Sequence, residues 1–309
     1  MSRTRQDDTP TDVAVERSHD LSEVQIKRAT RTRKIFALLS SFCLLLTVIF
    51  LILVEVGGTT TSSVRTQIYF INLDLSNIVP LSVPNAPLLN SIARTLGLHD
   101  FYRVYLWGFC EGYNGEGVTK CSDPETLYSF NPVEILRSEL LAGASIQLPA
   151  NINDILDLIR LVSHWMFGLF LSGAVLSFVL IFVVPWGIYS RWASLPISIL
   201  AFTNALIITV ACVIATVMFV IFKNVIAGVS ELNIRASIGV EMFAFMWIAS
   251  GFAIITWLIH LGQCCCCASR RDVRTGRRKG NKKAYEPSGN VGTEKPSSRM
   301  RRRFWKRSS

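Results

Sequence analysis

Acidic and basic side chains are absent from four long stretches of this chain, and that absence decides more than any motif present. Ile35 to Val54, Trp165 to Tyr189, Ala193 to Phe222 and Met242 to Leu261 contain no Asp, Glu, Lys or Arg. Only 17% of the residues are charged, and of the 32 Lys and Arg, 8 lie in residues 1–34 and 15 in residues 264–309. At about 1.5 Å per helical residue, a 20-residue apolar run covers roughly 30 Å, the hydrocarbon thickness of a bilayer. One such run can be a buried soluble helix. Four of them exclude a soluble protein and predict an integral membrane chain.

Catalytic patterns are missing as well. The four histidines, His19, His99, His164 and His260, are scattered over tail, loop and span edges. There is no HExxH, GxSxG or phosphate-binding glycine loop, so an enzyme is not expected, nor any metal or cofactor. No ionisable residue lies well inside a span, and Glu55 stands only at the edge of the first. Intramembrane charges mark ion and proton pathways, so their absence disfavours a transporter or pump, while a pore lined by backbone or polar side chains stays open. No Asn-x-Ser/Thr sequon occurs, so no N-glycan is expected.

What remains reads as an all-α membrane fold: a four-transmembrane-helix bundle with a disulfide-containing extracellular loop subdomain of short β-strands plus a helix. The spans are expected at 35–56, 165–189, 196–222 (the helix beginning after Pro196) and 242–263. The first apolar run is longer than a signal-peptide core and begins after 34 residues, so it reads as a signal anchor. Five basic residues, Lys27, Arg28, Arg31, Arg33 and Lys34, directly precede it. Residues 56–164 carry 6 basic and 10 acidic residues, and the segment from 264 onward carries 15 basic and 3 acidic. Positive residues near spans stay cytoplasmic. Tails 1–34 and 264–309 are therefore expected inside, loops 57–164 and 223–241 outside, and 190–195 forms a short inner turn.

The long loop has structure-forming content. Gln67–Leu75 and Phe101–Phe109 are β-branched and aromatic runs that predict strands. In the second, Phe101, Arg103, Tyr105, Trp107 and Phe109 fall on one face, an aromatic stripe expected to pack the loop's own small core. Pro80, Pro84 and Pro87 mark an irregular connection. Val133–Leu141 and Ile152–Val162 have helical apolar spacing, the latter leading into the second span. Cys110 and Cys121 are the only cysteines in outward segments, and an oxidising compartment with an even count favours a disulfide. Closing a loop of about 12 residues contributes on the order of 3 kcal/mol. Two free thiols, or a weak metal pair, are the alternatives.

Val104–Ser122 (VYLWGFCEGYNGEGVTKCS) resembles the outer-loop signature of the fungal Sur-seven/PalI membrane proteins, with Trp107, Gly108, Phe109, Cys110 and Cys121 as its marks. The flanking IYFINLDLSNI (Ile68–Ile78) and YSFNPVEIL (Tyr128–Leu136) are similar to that family too, over roughly residues 35–263. Claudin-type tetraspan proteins share a Gly-Leu-Trp…Cys…Cys pattern, but this loop is longer and has no second Trp before Trp107. The resemblance implies a plasma-membrane protein of furrow-like cortical domains (eisosomes), affecting endocytosis and cell-wall assembly. It also implies contacts with other membrane or cortical proteins and with the wall. A PalI-like role in ambient-pH signalling is the second implication, although that branch tends to carry a longer tail than the 46 residues here. Claudin-like adhesion is a third.

Cys264, Cys265, Cys266 and Cys267 directly follow the fourth span. Adjacent residues step about 100° around a helix and do not converge on one ion, so S-palmitoylation is the natural reading and an ordinary reduced cluster the bland one. Then come Arg270, Arg271, Arg274, Arg277, Arg278, Lys279, Lys282 and Lys283, and a second group, Arg299, Arg301, Arg302, Arg303, Lys306 and Arg307, interrupted by Phe304 and Trp305. Beside a bilayer such segments bind anionic inner-leaflet lipids, phosphoinositides among them, at about 1 kcal/mol per basic residue. They also serve as topology determinants, and the two roles are compatible. With four spans in the chain, nucleic acid is not an expected partner.

Overall fold

A computed structural model describes residues 23–76, 98–131, 152–188, 191–227, 234–266 and 273–274. The predicted helix Val133–Leu141 and the three loop prolines lie outside them. The described helices are α1 Glu23–Ala29, α2 Arg31–Val56, α3 Ile152–Val183, α4 Arg191–Ala227 and α5 Val240–Cys266. Strands β1 Ile71–Asp74, β2 Phe101–Val104, β3 Phe109–Tyr113 and β4 Gly117–Cys121 lie between α2 and α3, and β5 Arg235–Ile238 lies between α4 and α5.

The last four helices are each long and apolar enough to cross a membrane. They pack as a ring in which α2 touches α3, α3 touches α4, α4 touches α5, and α5 closes on α2. Large apolar residues cover both sides of each helix, as lipid outside and packing inside both require. On α2 the stripe Ala37, Leu44, Val48 and Leu51 is buried, whereas Leu38, Phe42, Leu45 and Ile49 are exposed on the opposite side. Small and polar residues occupy the seams. Ala249 and Ala253 are buried on α5. Asn204 Nδ2 donates to Ser177 Oγ at 2.9 Å across α3 and α4. Thr209 and Ser250 hydroxyls meet at 2.8 Å across α4 and α5, and Ser40 Oγ lies 2.7 Å from His260 Nε2 across α2 and α5. Such bonds give register to helices that lipid alone does not drive together, at about 0.6 kcal/mol each. His260, six residues from the end of α5, is therefore a buried seam residue.

Helical structure in the third span begins at Arg191, upstream of the expected start, with Pro196 inside the helix. Pro196 is the sixth residue of that helix and has no N–H for the carbonyl four residues before it, so the helix forgoes one hydrogen bond there. Arg33 also departs from expectation. It sits in the first turn of α2, 1% exposed, with Nε and Nη2 donating to the Gly187 carbonyl at 3.1 and 2.7 Å. Gly187 belongs to the short 3-10 turn Val184–Ile188 that ends the second span. Arg33 thus pins the first helix to that turn, while Arg28, Arg31 and Lys34 remain exposed. Arg33→Leu removes the pin and should lower stability by about 2 kcal/mol, the worth of charge-assisted hydrogen bonds. Arg31→Leu should stay within about 0.5 kcal/mol of wild type. Melting of the detergent-purified variants separates the two.

At the other end of the bundle the strands form one antiparallel five-stranded sheet in the order β4-β3-β2-β1-β5. The predicted strand Gln67–Leu75 shortens to β1, with Arg65–Gln67 in a 3-10 turn. The predicted strand Phe101–Phe109 is not one strand. Val104 pairs with Phe109, and Tyr105 N donates to the Gly108 carbonyl at 2.9 Å, so the chain reverses at Leu106 and Trp107. The aromatic stripe is folded into a hairpin with Trp107 at its tip. β5 has no strand-like run of its own, and its pairing with β1 brings the segment before α5 into the sheet. The expected continuation of Ile152–Val162 into the second span is what α3 shows.

Candidate functional site

The signature residues gather on the β2–β3 hairpin, which is driven tip-first into the mouth of the bundle. Leu106 at the tip is 1% exposed. Trp107 Nε1 donates to Glu55 Oε2 at 3.0 Å, on the last turn of α2, and its ring stands edge-on to Phe167 of α3 at 4.7 Å. One side chain thereby ties the hairpin to two helices. Glu55 Oε1 is buried with no hydrogen-bond partner among the described residues, so the indole is the polar contact that holds this carboxylate. Phe70, just before β1, stacks on Phe219 of α4 at 4.8 Å and meets Phe243 of α5 edge-on at 6.2 Å. The sheet is therefore seated on all four helix ends through two aromatic anchors.

Gly108 and Phe109 lie beside the strand that returns from β4. Phe109 N donates to Ser122 Oγ at 3.1 Å, and Ser122 N donates to the Phe109 carbonyl at 2.9 Å. A β-carbon on Gly108 would run into that Ser122 hydroxyl. This explains a glycine between two aromatics. Cys110 and Cys121 are cross-strand partners on β3 and β4, with Cα atoms 4.0 Å apart, joined by a disulfide. The hairpin between them turns at Gly115 and Gly117, whose φ angles of 99° and 86° suit glycine. Trp107, Gly108, Phe109, Cys110 and Cys121 thus form one continuous unit.

Several partners of that unit are not evident in sequence. Arg103 Nη1 and the Tyr105 hydroxyl both donate to the Thr66 carbonyl at 2.9 Å, fixing the chain that leaves α2. Burial pushes the Tyr105 phenol well above the usual tyrosine range, so it stays a donor. The Arg103 guanidinium lies over the rings of Tyr69 and Phe101 at 4.9 and 5.0 Å. His99 stacks on Tyr113 at 4.7 Å, with Nδ1 3.6 Å from Glu111 Oε2, and Lys120 Nζ lies 3.9 Å from Glu111 Oε1. Among the described residues no three His, Cys, Asp or Glu side chains converge to hold a metal. The module is built for rigidity: hydrogen bonds, rings and one covalent link hold a surface in place.

At the opposite end, Cys264 is half-buried near the end of α5, with Cys265 and Cys266 in its final turn, while Cys267 lies outside the described residues. Of the basic tail residues, Arg274 is described and exposed. Arg270, Arg271, Arg277, Arg278, Lys279, Lys282, Lys283, Arg301, Arg302, Arg303, Lys306 and Arg307 lie outside the described residues. Val273 beside Arg274 is 1% exposed and packs with Ala29 and Ile26 of α1.

Comparison with known proteins places this geometry in a family. A sequence model of the SUR7/PalI family matches residues 36–259, from the first span to the fourth. Protein PUN1 of Saccharomyces cerevisiae is 27% identical over 219 residues, 66% of this chain and 81% of that protein. SUR7 family protein pun1 of Schizosaccharomyces pombe is 21% identical over 170 residues, 53% of this chain and 59% of that protein. The family match runs from within the first membrane-crossing helix to within the fourth and holds the whole sheet.

Proposed function

This chain belongs to the SUR7/PalI family and is a multi-pass membrane protein, and from that premise we propose that it is a non-enzymatic organiser of eisosome-type domains in the fungal plasma membrane, acting on endocytosis and wall assembly. The observation that carries the reading is the division of labour between the two ends of the bundle. One end bears a rigid, disulfide-locked sheet seated on every helix. The other bears the first helix and the short described segment Val273–Arg274, with Arg28, Arg31, Lys34 and Arg274 exposed. Basic residues at a membrane face belong in the cytoplasm, so the sheet faces outward, toward the wall or neighbouring chains. The tail from Arg270 to Arg307 holds anionic inner-leaflet lipid, phosphoinositides included, helped by palmitoylation at Cys264, Cys265, Cys266 and Cys267. Other membrane or cortical proteins are the partners of such an assembly.

A fluorescent fusion in living cells tests this reading. Static cortical patches are the expected result. A diffuse membrane signal, with loss of alkaline growth in a deletion strain, would instead favour a PalI-like signalling role. Acylation is tested separately: changing Cys264–Cys267 together to Ser should abolish incorporation of an alkyne-palmitate label, and retained label would refute acylation there.

A further inference from the structure

The buried stripe of α5 changes character halfway along. Met242, Met246, Ala249 and Ala253 occupy its outer half, and Thr256, His260 and Gln263 continue it at the same spacing toward the end nearer α1. All seven are at most 2% exposed. Ser40 Oγ meets His260 Nε2, but Thr256 Oγ1 and Gln263 Nε2 have no hydrogen-bond partner among the described residues. Ser194 Oγ, buried in the first turn of α4, has none either. A polar group shut into a membrane bundle and left unbonded is costly, and spanning structures are built to avoid it.

The cross-helix bonds set the levels of these atoms. Neighbouring helices run antiparallel, so residues equally far from a bonded pair, in opposite directions, stand level. The Thr209–Ser250 contact puts Thr256 beside Asn204, within one residue. The Asn204–Ser177 bond puts Ser194 level with Gly187, ten residues along each helix, and Gly187 is the carbonyl that Arg33 holds. The Ser40–His260 contact puts Gln263 between that level and His260. Arg33, Ser194, Gln263, His260 with Ser40, and Thr256 with Asn204 therefore form a polar ladder. From Arg33 to Leu44, the α2 residue level with Thr256, it rises about 16 Å, half the thickness of the hydrocarbon. An apolar cluster of Ala37, Leu180, Val184 and Ile197 lies at the same levels, so the ladder is one wall and not the whole cross-section.

Beyond Thr256 the ladder stops. Leu51, Phe170, Ile208 and Met246 are wholly buried there. The hydroxyls at these levels are bonded, Thr47 to the Cys43 carbonyl and Thr209 and Ser250 to each other. Phe70 stacked on Phe219 covers the outer mouth.

We propose that water enters the bundle from the end nearer α1 and follows this ladder as far as Thr256 and Asn204, where a dry outer half stops it. Water supplies the missing partners. A molecule beside Gln263 Nε2, or beside the Ser194 or Thr256 hydroxyl, finds further donors and acceptors along the ladder, which is what holds a buried water. The outer half offers no such partners, and a packed apolar segment is a barrier to water and ions. The vestibule is therefore blind. Polar side chains within spans, which composition leaves compatible with a pore, here line a one-sided site for water and for solutes small enough to follow it, and the chain does not conduct.

X-ray radiolytic footprinting of the full-length protein in detergent tests this, because hydroxyl radicals form from whatever water a buried side chain touches. His260 should be oxidised, while Met242 and Met246, more reactive by nature but in the dry half, should stay at background. His260 protected as fully as Met246 would mean a dry interior and overturn the vestibule. Met246 oxidised along with His260 would mean water throughout and overturn its blind end. Silver ion, a thiol reagent small enough to travel in a file of water, reads the sidedness. It is applied to sealed and to permeabilised cells carrying Ser194→Cys or Thr256→Cys, with Cys43 and Cys264–267 changed to Ala and Cys212 kept. Both new thiols should be blocked from the same side. Cys212, whose Sγ donates to the Met246 carbonyl, should be blocked from neither. A thiol at 256 reached from the side that the thiol at 194 does not see, or not reached at all, would contradict the proposal. Should the cysteine variants fail to fold, the wild-type footprint decides.

Discussion

Trp107→Ala should destabilise the protein by about 3–5 kcal/mol, the range for truncating a packed large aromatic, and lower its melting temperature by on the order of 10 °C. The indole is in contact with two helices at once: its N–H serves Glu55 on α2, and its ring meets Phe167 on α3. Without it the hairpin tip loses its anchor, and a carboxylate at the mouth of the bundle loses its hydrogen bond. Trp107→Phe separates these contributions. The ring contact survives, the Glu55 bond does not, and the loss should be about 1–3 kcal/mol, the penalty for stranding a buried polar group. Removing the carboxylate as well, in Trp107→Phe with Glu55→Leu, should recover part of that loss, because the two residues are coupled. Melts of wild type, Trp107→Phe, Glu55→Leu and the double variant in detergent read the cycle. A Trp107→Ala variant melting within a degree or two of wild type would show that the hairpin is not held by its tip.

Loss of the disulfide is the second large effect. Cys110 and Cys121 are eleven residues apart, and a loop of that size predicts about 3 kcal/mol of stabilisation through the unfolded chain. Cys110 is wholly buried and Cys121 half-exposed, so Cys110→Ser also places a hydroxyl in the interior and should be the worse of the two single changes. The double variant should be no worse than Cys110→Ser, since one bond cannot be lost twice. Reducing agent should bring wild type down to the Cys121→Ser level and leave Cys121→Ser unmoved. Protease cutting in the turn at residues 114–116, followed by mass spectrometry, should rise in parallel. Additive single losses would mean that each cysteine acts through packing rather than through the bond.

The bundle was legible because its cause is local. A run without charge has to find an apolar solvent, and its length matches the bilayer, so Ile35–Val54 and its three counterparts announce themselves without reference to one another. The cysteine pair was legible for the same reason: two residues on one short loop, with glycines between them. Features decided by tertiary contact were not. Glu55 reads as an unremarkable span-edge acid until Trp107, 52 residues on, is found bonded to it. A lone carboxylate at a span end facing a tryptophan-bearing loop was the available signal. Arg33 is one of five basic residues in sequence, and only helical phase, four residues before the buried Ala37, separates it from Arg31 and Lys34. The stripe from Phe101 to Phe109 obeys strand periodicity throughout, yet the chain reverses within it because two anchors at its tip are buried better in the bundle than along a strand. β5 carries no propensity signal, since its strand conformation is imposed by β1.

Everything proposed about the two ends depends on which side of the membrane each one faces. Single-cysteine reporters in sealed cells, treated with a membrane-impermeant maleimide, measure this directly. Glu116 on the β3–β4 turn and Ser237 on β5 come from different inter-span segments of one sheet, and Lys34 and Arg274 mark the opposite end. Cysteines at 116 and 237 should label in intact cells, and those at 34 and 274 only after permeabilisation. Labelling of 34 or 274 in intact cells, or of 116 and 237 only in broken ones, would turn the sheet to the cytoplasm and the basic arms away from the anionic leaflet.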